Sequence, residues 1–309
     1  MSTQAFDDAF WQDPRQNKST IPDLAQALLS RASQGTPMRG FSLKHAELPG
    51  IDLVHRGSGD GYDLSGSDLY RANLQGAHLF AVDLHGASLM KADLRGANLH
   101  CADLRGANLL GVRLEGARLD NVRWGERLLQ ELQAIEARRA GRYEQMLDLL
   151  QQAEETYRNL RLSLEHAGLF EQAGIFFHRE MTMRRLQMPR WSYQRQISYL
   201  VDLFCGYGEK PLRVVLFSLG FILLCALFYF LLGVRYGEQH IGLSLEHGFA
   251  HNLLDLFTCV YYSVVTFTTL GYGDLVPIGF ARALAAFEAF TGSFTMALFV
   301  VVFVKKMTR

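Results

Sequence analysis

Apolar residues follow three different spacings along the chain, and each spacing predicts a different kind of structure. Between Tyr62 and Asn121 a leucine occurs at every fifth position, and a small residue, most often alanine, stands two positions before it. A period of five fits neither an α-helix nor a strand, so the chain must turn a corner every five residues. Four such sides make one coil of a square solenoid, with the leucines stacked at its centre.

This A(D/N)LxG pattern closely resembles the pentapeptide-repeat family, whose fold is a right-handed quadrilateral β-helix. The resemblance predicts such a β-helix over residues 41–124. Weaker copies of the repeat stand ahead of a glycine-rich insert at residues 56–61, around Leu43, Leu48 and Leu53. Solenoids of this kind mostly offer surfaces, so the pattern indicates a fold rather than a function.

The apolar period changes to three and four from Glu126 to about Gln187, which predicts α-helices. Gly168 interrupts the stretch, as expected near the C-cap of the first helix in a hairpin. The hairpin resembles one tetratricopeptide-like helix pair. We therefore expect a helical adaptor over residues 125–188 that caps the solenoid, and a helical or partly ordered segment over residues 1–40.

Long apolar stretches near the C-terminus predict two membrane spans, at about 212–234 and 279–304. Residues 189–210 suit an amphipathic linker lying at the inner membrane surface, an ordinary packed linker helix being the alternative. Lysine and arginine stand before the first span and after the second. Positive residues mark the cytoplasmic side of a span, so we expect both termini in the cytoplasm. Because the N-terminus has no signal-peptide pattern, we expect a protein of the plasma or inner membrane, from a bacterium.

Thr269, Leu270, Gly271, Tyr272 and Gly273 lie between the spans and resemble the potassium-channel selectivity filter, usually Thr-Val-Gly-Tyr-Gly. The preceding residues, about 253–266, resemble its pore helix. The resemblance covers the pore domain at residues 211–309. It implies an all-α, two-span pore in a homotetramer that conducts K⁺ passively through the bilayer.

The chemistry of K⁺ explains why the filter has these residues at this spacing. The ion sheds its water only where carbonyl oxygens from four subunits replace that water ring by ring, here from Thr269 to Tyr272. Successive carbonyls can face one axis only if left- and right-handed residues alternate, which Gly271 and Gly273 permit. A second triplet, Gly206-Tyr207-Gly208, has neither the threonines nor a pore helix before it and predicts only a turn.

Several residues are expected to support the filter. The resemblance implies that Tyr272 braces against aromatic residues of the pore helix such as Tyr261 and Tyr262, and we assign Thr266 and Asp274 to the same support. Val265 stands where some family members place a carboxylate.

A charge inside the second span, Glu288, is expected to hydrogen-bond to the back of the pore helix in place of that missing carboxylate. The alternative is a merely buried, protonated glutamate.

The second span also carries candidate gating residues. Gly292 serves either as a hinge or as a close-packing position, and the pattern favours neither. Four residues that recur at every fourth position after it resemble the pore-lining stripe of inward-rectifier inner helices, a lipid-facing stripe being the alternative. They are Met296, Val300, Val304 and Thr308.

Composition narrows the alternatives. Lys+Arg and Asp+Glu balance at 31 each, so no bulk charge points to nucleic acid. A pentapeptide protein that mimics DNA to protect a topoisomerase would be acidic, whereas residues 62–121 are nearly neutral. Four scattered cysteines suggest neither a disulfide framework nor a zinc site. We expect a channel rather than an enzyme, with K⁺ as the permeant ion and no organic cofactor.

Two other functions stay open: a weakly selective cation channel, and a membrane-anchored pentapeptide scaffold that does not conduct. Neither span carries the spaced arginines of a voltage sensor. We therefore expect any gating signal to arrive from the N-terminal module, where a cytoplasmic ligand or protein, its identity unknown, could bind the solenoid or the adaptor.

Overall fold

The computed structural model describes residues 6–15, 18, 21, 23–244 and 248–307. The chain divides into two compact units, Met1–Arg195 and Gln196–Arg309. In the segment expected to be helical or partly ordered, α1 (Asp8–Gln12) and α2 (Leu24–Ser33) form. The rest of that prediction falls partly on residues 1–5, 16, 17, 19, 20 and 22, which lie outside the described residues.

The solenoid forms because each strand-like side pairs in parallel with the side one coil later. Asp63 pairs with Asp83, which pairs in turn with Asp103, so one coil is 20 residues. Before the six-residue insert the partners lie 26 residues apart, as in Ser42 with Asp68. The insert therefore loops out of one coil without disturbing the stacking, and the inward leucines remain buried throughout.

The N-terminal end of the solenoid is closed by α1 and the residues after it. The ring of Trp11 stacks on that of Phe41 at 5.0 Å, and the Trp11 carbonyl accepts the Ser42 amide at 2.8 Å. The buried Lys18 ammonium donates to the carbonyls of Trp11 and Ser42. Burial lowers the pKa of Lys18 to about 8, opposed by the charge of Asp13.

The other end of the solenoid is covered by three helices: α3 (Leu129–Arg139), α4 (Tyr143–His166) and α5 (Phe170–Gln187). The Asn159 side chain donates to the Val112 carbonyl at 2.6 Å, and the rings of Trp124 and Phe176 meet edge to face. Because these contacts join the last coils to the hairpin, the helices cap the solenoid as expected. The tetratricopeptide likeness stays a prediction.

The second unit contains the apolar helices. Helix α6 (Tyr193–Cys205) begins just before the boundary between the units and is followed by a 3₁₀ turn at Gly206–Gly208, as predicted for that triplet. Among the described residues, two helices are long and apolar enough to cross a membrane, α7 (Pro211–Leu232) and α9 (Ala281–Met307). The last two residues of the predicted pore domain, 308 and 309, lie outside the described residues.

Between α7 and α9 lie β1 (Val234–Tyr236), β2 (Gln239–Ile241), α8 (Phe249–Phe267) and β3 (Leu275–Pro277). The strands form one antiparallel sheet in the order β2-β1-β3. Helix α8 begins four residues before the predicted start of the pore helix, and α7 ends two residues early because the chain enters β1. The sequence analysis did not predict this sheet.

Candidate functional site

The predicted filter follows directly on the C-terminal end of α8 and is held by the last carbonyls of that helix. The amide of Thr269 donates to the carbonyl of Thr266, and the amide of Leu270 to that of Val265, both at 3.0 Å. These two bonds form a Schellman cap, whose left-handed residue is usually glycine. Here it is Thr269, with φ 57°. A β-branched residue in that region is strained, so the start of the predicted filter stores backbone strain.

Left-handed residues then alternate along the filter. Thr269, Gly271 and Gly273 have φ of 57°, 56° and 78°, whereas Leu270 and Tyr272 between them do not have positive φ. This alternation is the backbone pattern that lets successive carbonyls face one side of the chain. All five residues are exposed in a single protomer, Tyr272 by 67%. The five residues therefore form an exposed edge of the chain.

The small sheet holds the C-terminal end of the predicted filter. Strand β3 starts one residue after Asp274 and pairs with β1, with Tyr236 opposite Leu275. One carboxylate oxygen of Asp274 accepts the Leu275 amide and the other accepts the Tyr261 hydroxyl, both at 3.0 Å. The filter is thus tied to α8 at both ends, and through β1 to the end of α7.

A buried polar cluster lies behind α8. The Glu288 side chain of α9 is 0% exposed, and its carboxyl accepts the Tyr229 hydroxyl of α7 at 2.7 Å. The Ser263 hydroxyl of α8 contacts the same carboxyl and also the Ile222 carbonyl of α7 at 2.8 Å. One carboxyl therefore joins all three long helices of this unit, and Glu288 does contact the back of the predicted pore helix.

The remaining predicted support residues on α8 divide between buried and exposed positions. Tyr262 is buried, and its ring meets that of Tyr229 edge to face at 4.8 Å. Val265 is buried and Thr266 half-buried, whereas Tyr261 is exposed. Tyr262 thus packs inward, toward α7.

On α9, Gly292 is the point where that helix passes closest to the end of α8. A Cβ built at Gly292 would lie 1.9 Å from the Phe267 carbonyl oxygen, so no larger residue fits unless a backbone moves. This contact favours the packing role over the hinge, and α9 is continuous through Gly292. The stripe of Met296, Val300 and Val304 is exposed in one protomer, and Thr308 lies outside the described residues.

Sequence reasoning missed the partners of Glu288, which are Tyr229 and Ser263. A tyrosine hydroxyl and a serine inside apolar helices were the available signal, since a polar tip buried among apolar residues needs a partner. It also missed the β1–β2 hairpin, whose signal was the Gly237-Glu238 pair between short β-prone runs. Within the described residues, no group of acidic, histidine or cysteine side chains is arranged to hold a metal ion.

Comparisons with known proteins match two separate parts of the chain. Residues 216–309 match the family described as "Ion channel", and residues 63–96 and 97–123 match pentapeptide repeats, with eight copies. No curated protein matches the chain.

Two solved structures are similar to the repeat region. A pentapeptide repeat protein (Rfr23) from the cyanobacterium Cyanothece 51142 is 32% identical over 30% of this chain and 60% of that chain, with a TM-score of 0.28. The pentapeptide repeat protein alr5209 from Nostoc Pcc 7120 is 37% identical over 33% of this chain and 78% of that chain, with a TM-score of 0.23. The chain thus spans 60% of the length of the first.

Proposed function

We propose that this chain, which carries pentapeptide repeats ahead of a C-terminal ion channel domain, is a subunit of a potassium-selective channel. The observation that supports it most is the alternation of left-handed backbone at Thr269, Gly271 and Gly273, directly after the capped end of α8. The C-terminal domain matches a family of channels, not of enzymes. K⁺ is accordingly the transported ion, not a cofactor.

In this proposal the carbonyls from Thr269 to Tyr272 bind dehydrated K⁺, and the Thr269 hydroxyl adds a ring of oxygens at the inner end. Each chain supplies a quarter of every ring, so four copies assemble around the filter. Helix α8 directs the negative end of its dipole toward the ion path. In this proposal the two apolar helices cross a cell membrane, and both termini lie inside.

The reversal potential of purified full-length protein in planar bilayers tests this proposal. With unequal K⁺ and Na⁺ on the two sides, a selective pore reverses near the K⁺ equilibrium potential, about 59 mV per tenfold gradient. A reversal near zero would indicate the weakly selective cation channel instead. Absence of any current or flux would favour the non-conducting scaffold.

We further assign Glu288 to filter support, acting through Ser263 rather than by contact with the ion. Because Glu288→Gln keeps the shape and the acceptor oxygen, it should retain selectivity. Glu288→Leu leaves the Tyr229 hydroxyl unsatisfied behind α8 and removes the link from α9 to Ser263, and we expect a lower K⁺/Na⁺ permeability ratio. If Glu288→Leu formed tetramers with unchanged selectivity, the cluster would merely pack the helices.

The gate in this proposal lies where the inner ends of α9 converge, around Val300 and Val304, with Met296 lining the path above it. The signal comes from the N-terminal module, because the chain leads from solenoid and adaptor to α7. The route of the gating signal follows from the connectivity of the chain alone. A protein beginning at Pro189 should still conduct, with a changed open probability, and identical single-channel records would contradict the route.

A further inference from the structure

The second Gly-Tyr-Gly triplet, which the filter does not use, forms an unusual turn. Gly206, Tyr207 and Gly208 are all left-handed, with φ of 56°, 56° and 82°, and together they connect α6 to α7. Tyr207 is costly in that region because it has a Cβ. Its hydroxyl hydrogen-bonds to that of Ser198 at 2.8 Å, which ties the turn back to α6.

This turn brings the carboxylate of Glu209 close to the inner end of α9. Glu209 follows the triplet, and its Oε1 lies 2.6 Å from the Lys305 Nζ, although the two residues are 96 positions apart. A Cβ built at Gly208 would stand 3.8 Å from the same ammonium, so the turn backbone itself runs alongside Lys305. The Glu209 side chain is only 15% exposed, which shields the pair from screening more than an open surface pair.

The same region holds α6 to α7. The Arg213 guanidinium of α7 donates to the carbonyl and the carboxylate of Asp202, at 2.7 and 3.0 Å. Beneath these polar contacts, Cys205, Val214 and Val302 form a small buried apolar cluster. The end of α6, the start of α7 and the end of α9 are therefore one packed joint.

We propose that the Glu209–Lys305 ion pair is a gating latch that couples α6 to the inner end of α9. The inference rests on the proposed channel function and on the gate at Val300 and Val304, which stand five residues and one residue before Lys305. An interaction biases a two-state gate only if its strength differs between the states. Lys305 moves with the inner end of α9, whereas Glu209 is held by the turn and α6, so any displacement of α9 changes this distance.

Single-channel recording of the full-length protein tests the latch with Glu209→Gln, Lys305→Met and the combined variant. Each single change should alter the open-to-closed ratio by about two- to tenfold in the same direction. The combined variant should match the singles, and the exchanged pair Glu209→Lys with Lys305→Glu should return toward wild type. Lys306→Met is the matched control, because it removes the same charge one residue further along, at an exposed position, and should change nothing.

Hydrogen exchange of residues 206–213 and 298–307 in lipid nanodiscs gives a readout that does not need current. Glu209→Gln and Lys305→Met should speed exchange in both segments, and Lys306→Met should not. Unchanged exchange would overturn the latch, as would faster exchange with an unaltered open-to-closed ratio in a conducting protein. A wild type that carries no K⁺ current would instead overturn the proposed function, and the exchange data alone would then decide whether the pair holds α9.

Discussion

The solenoid and the pore domain are both rich in leucine, yet they differ in how far large apolar side chains are buried. In the solenoid, Leu89 and Leu94 are 0% exposed, because coils of the same chain stack above and below them. On the two apolar helices, large side chains stay open in a single protomer, and Phe290 on α9 is 75% exposed.

This difference in burial shows what covers the apolar side chains of each region. A solenoid coil buries its apolar centre against the next coil, so one chain completes the structure. The pore domain satisfies its backbone within helices and one small sheet but leaves apolar faces exposed, and in the proposed channel lipid and other copies of the chain cover them. The solenoid is accordingly sensitive to changes in its core, and the pore domain to changes in its backbone path.

The largest effect should come from the filter backbone. Gly273→Ala places a Cβ on a residue with φ 78°, which costs about 1–2 kcal/mol per chain and turns a carbonyl away from the axis. We expect K⁺ flux into liposomes to be abolished while tetramers still form, as judged by size-exclusion chromatography. Gly220→Ala is the control, since that Cβ meets open space in α7. Undiminished flux through the Gly273 variant would mean that the filter lies elsewhere.

The next effect tests whether one chain alone completes the core of the solenoid. Leu94→Ala leaves a cavity among stacked leucines and should lower the free energy of unfolding by about 2–5 kcal/mol. Thermal unfolding followed by circular dichroism would measure it. Leu110→Ala, at a half-buried position of the same solenoid, should cost about 1 kcal/mol or less. Equal losses for the two leucines would show that the centre of the solenoid is no more demanding than its outside.

A smaller effect is expected where α9 passes the end of α8. Gly292→Ala forces the Phe267 carbonyl and α9 apart, and overpacking of this kind costs about 1–3 kcal/mol. We expect a lower melting temperature of the tetramer together with a reduced single-channel current, because Phe267 stands two residues before the predicted filter. Ser293→Ala, at the exposed neighbouring position, should leave both quantities unchanged. A Gly292→Ala channel with wild-type current would show that this contact does not influence conduction through the filter.

The smallest effect concerns a surface charge of the solenoid. The hydrogen bond from Arg95 lowers the pKa of Asp93 to about 2, with burial opposing and Gln75 assisting. Because the folded pKa lies below the usual 3.8, the stabilisation is complete above pH 4 and is lost as the pH falls toward 2.

Asp93→Asn should therefore cost about 1 kcal/mol from pH 5 to 7, with the difference from wild type shrinking between about pH 4 and 2. Urea unfolding at several pH values would measure it. Asp120→Asn, which removes the exposed partner of Arg118, should stay within about 0.5 kcal/mol. A difference that did not depend on pH would rule out the ion pair as its source.

The sequence by itself determined everything that depends on local period: the solenoid, the helical hairpin, the two apolar helices and the turn at Gly206–Gly208. It also singled out Thr269 to Gly273, because glycine at alternate positions is a local requirement of the backbone. Such features are readable since the residues that carry them are neighbours in the chain or repeat at one interval.

Only the tertiary structure decided which distant residues meet. Glu288 finds Tyr229 and Ser263 across 59 and 25 positions, and Glu209 finds Lys305 across 96. It also decided that Gly292 packs against Phe267 and that β3 pairs with β1. These contacts follow from how three helices cross, and no local pattern encodes a crossing, because many pairs of side chains could satisfy the same apolar faces.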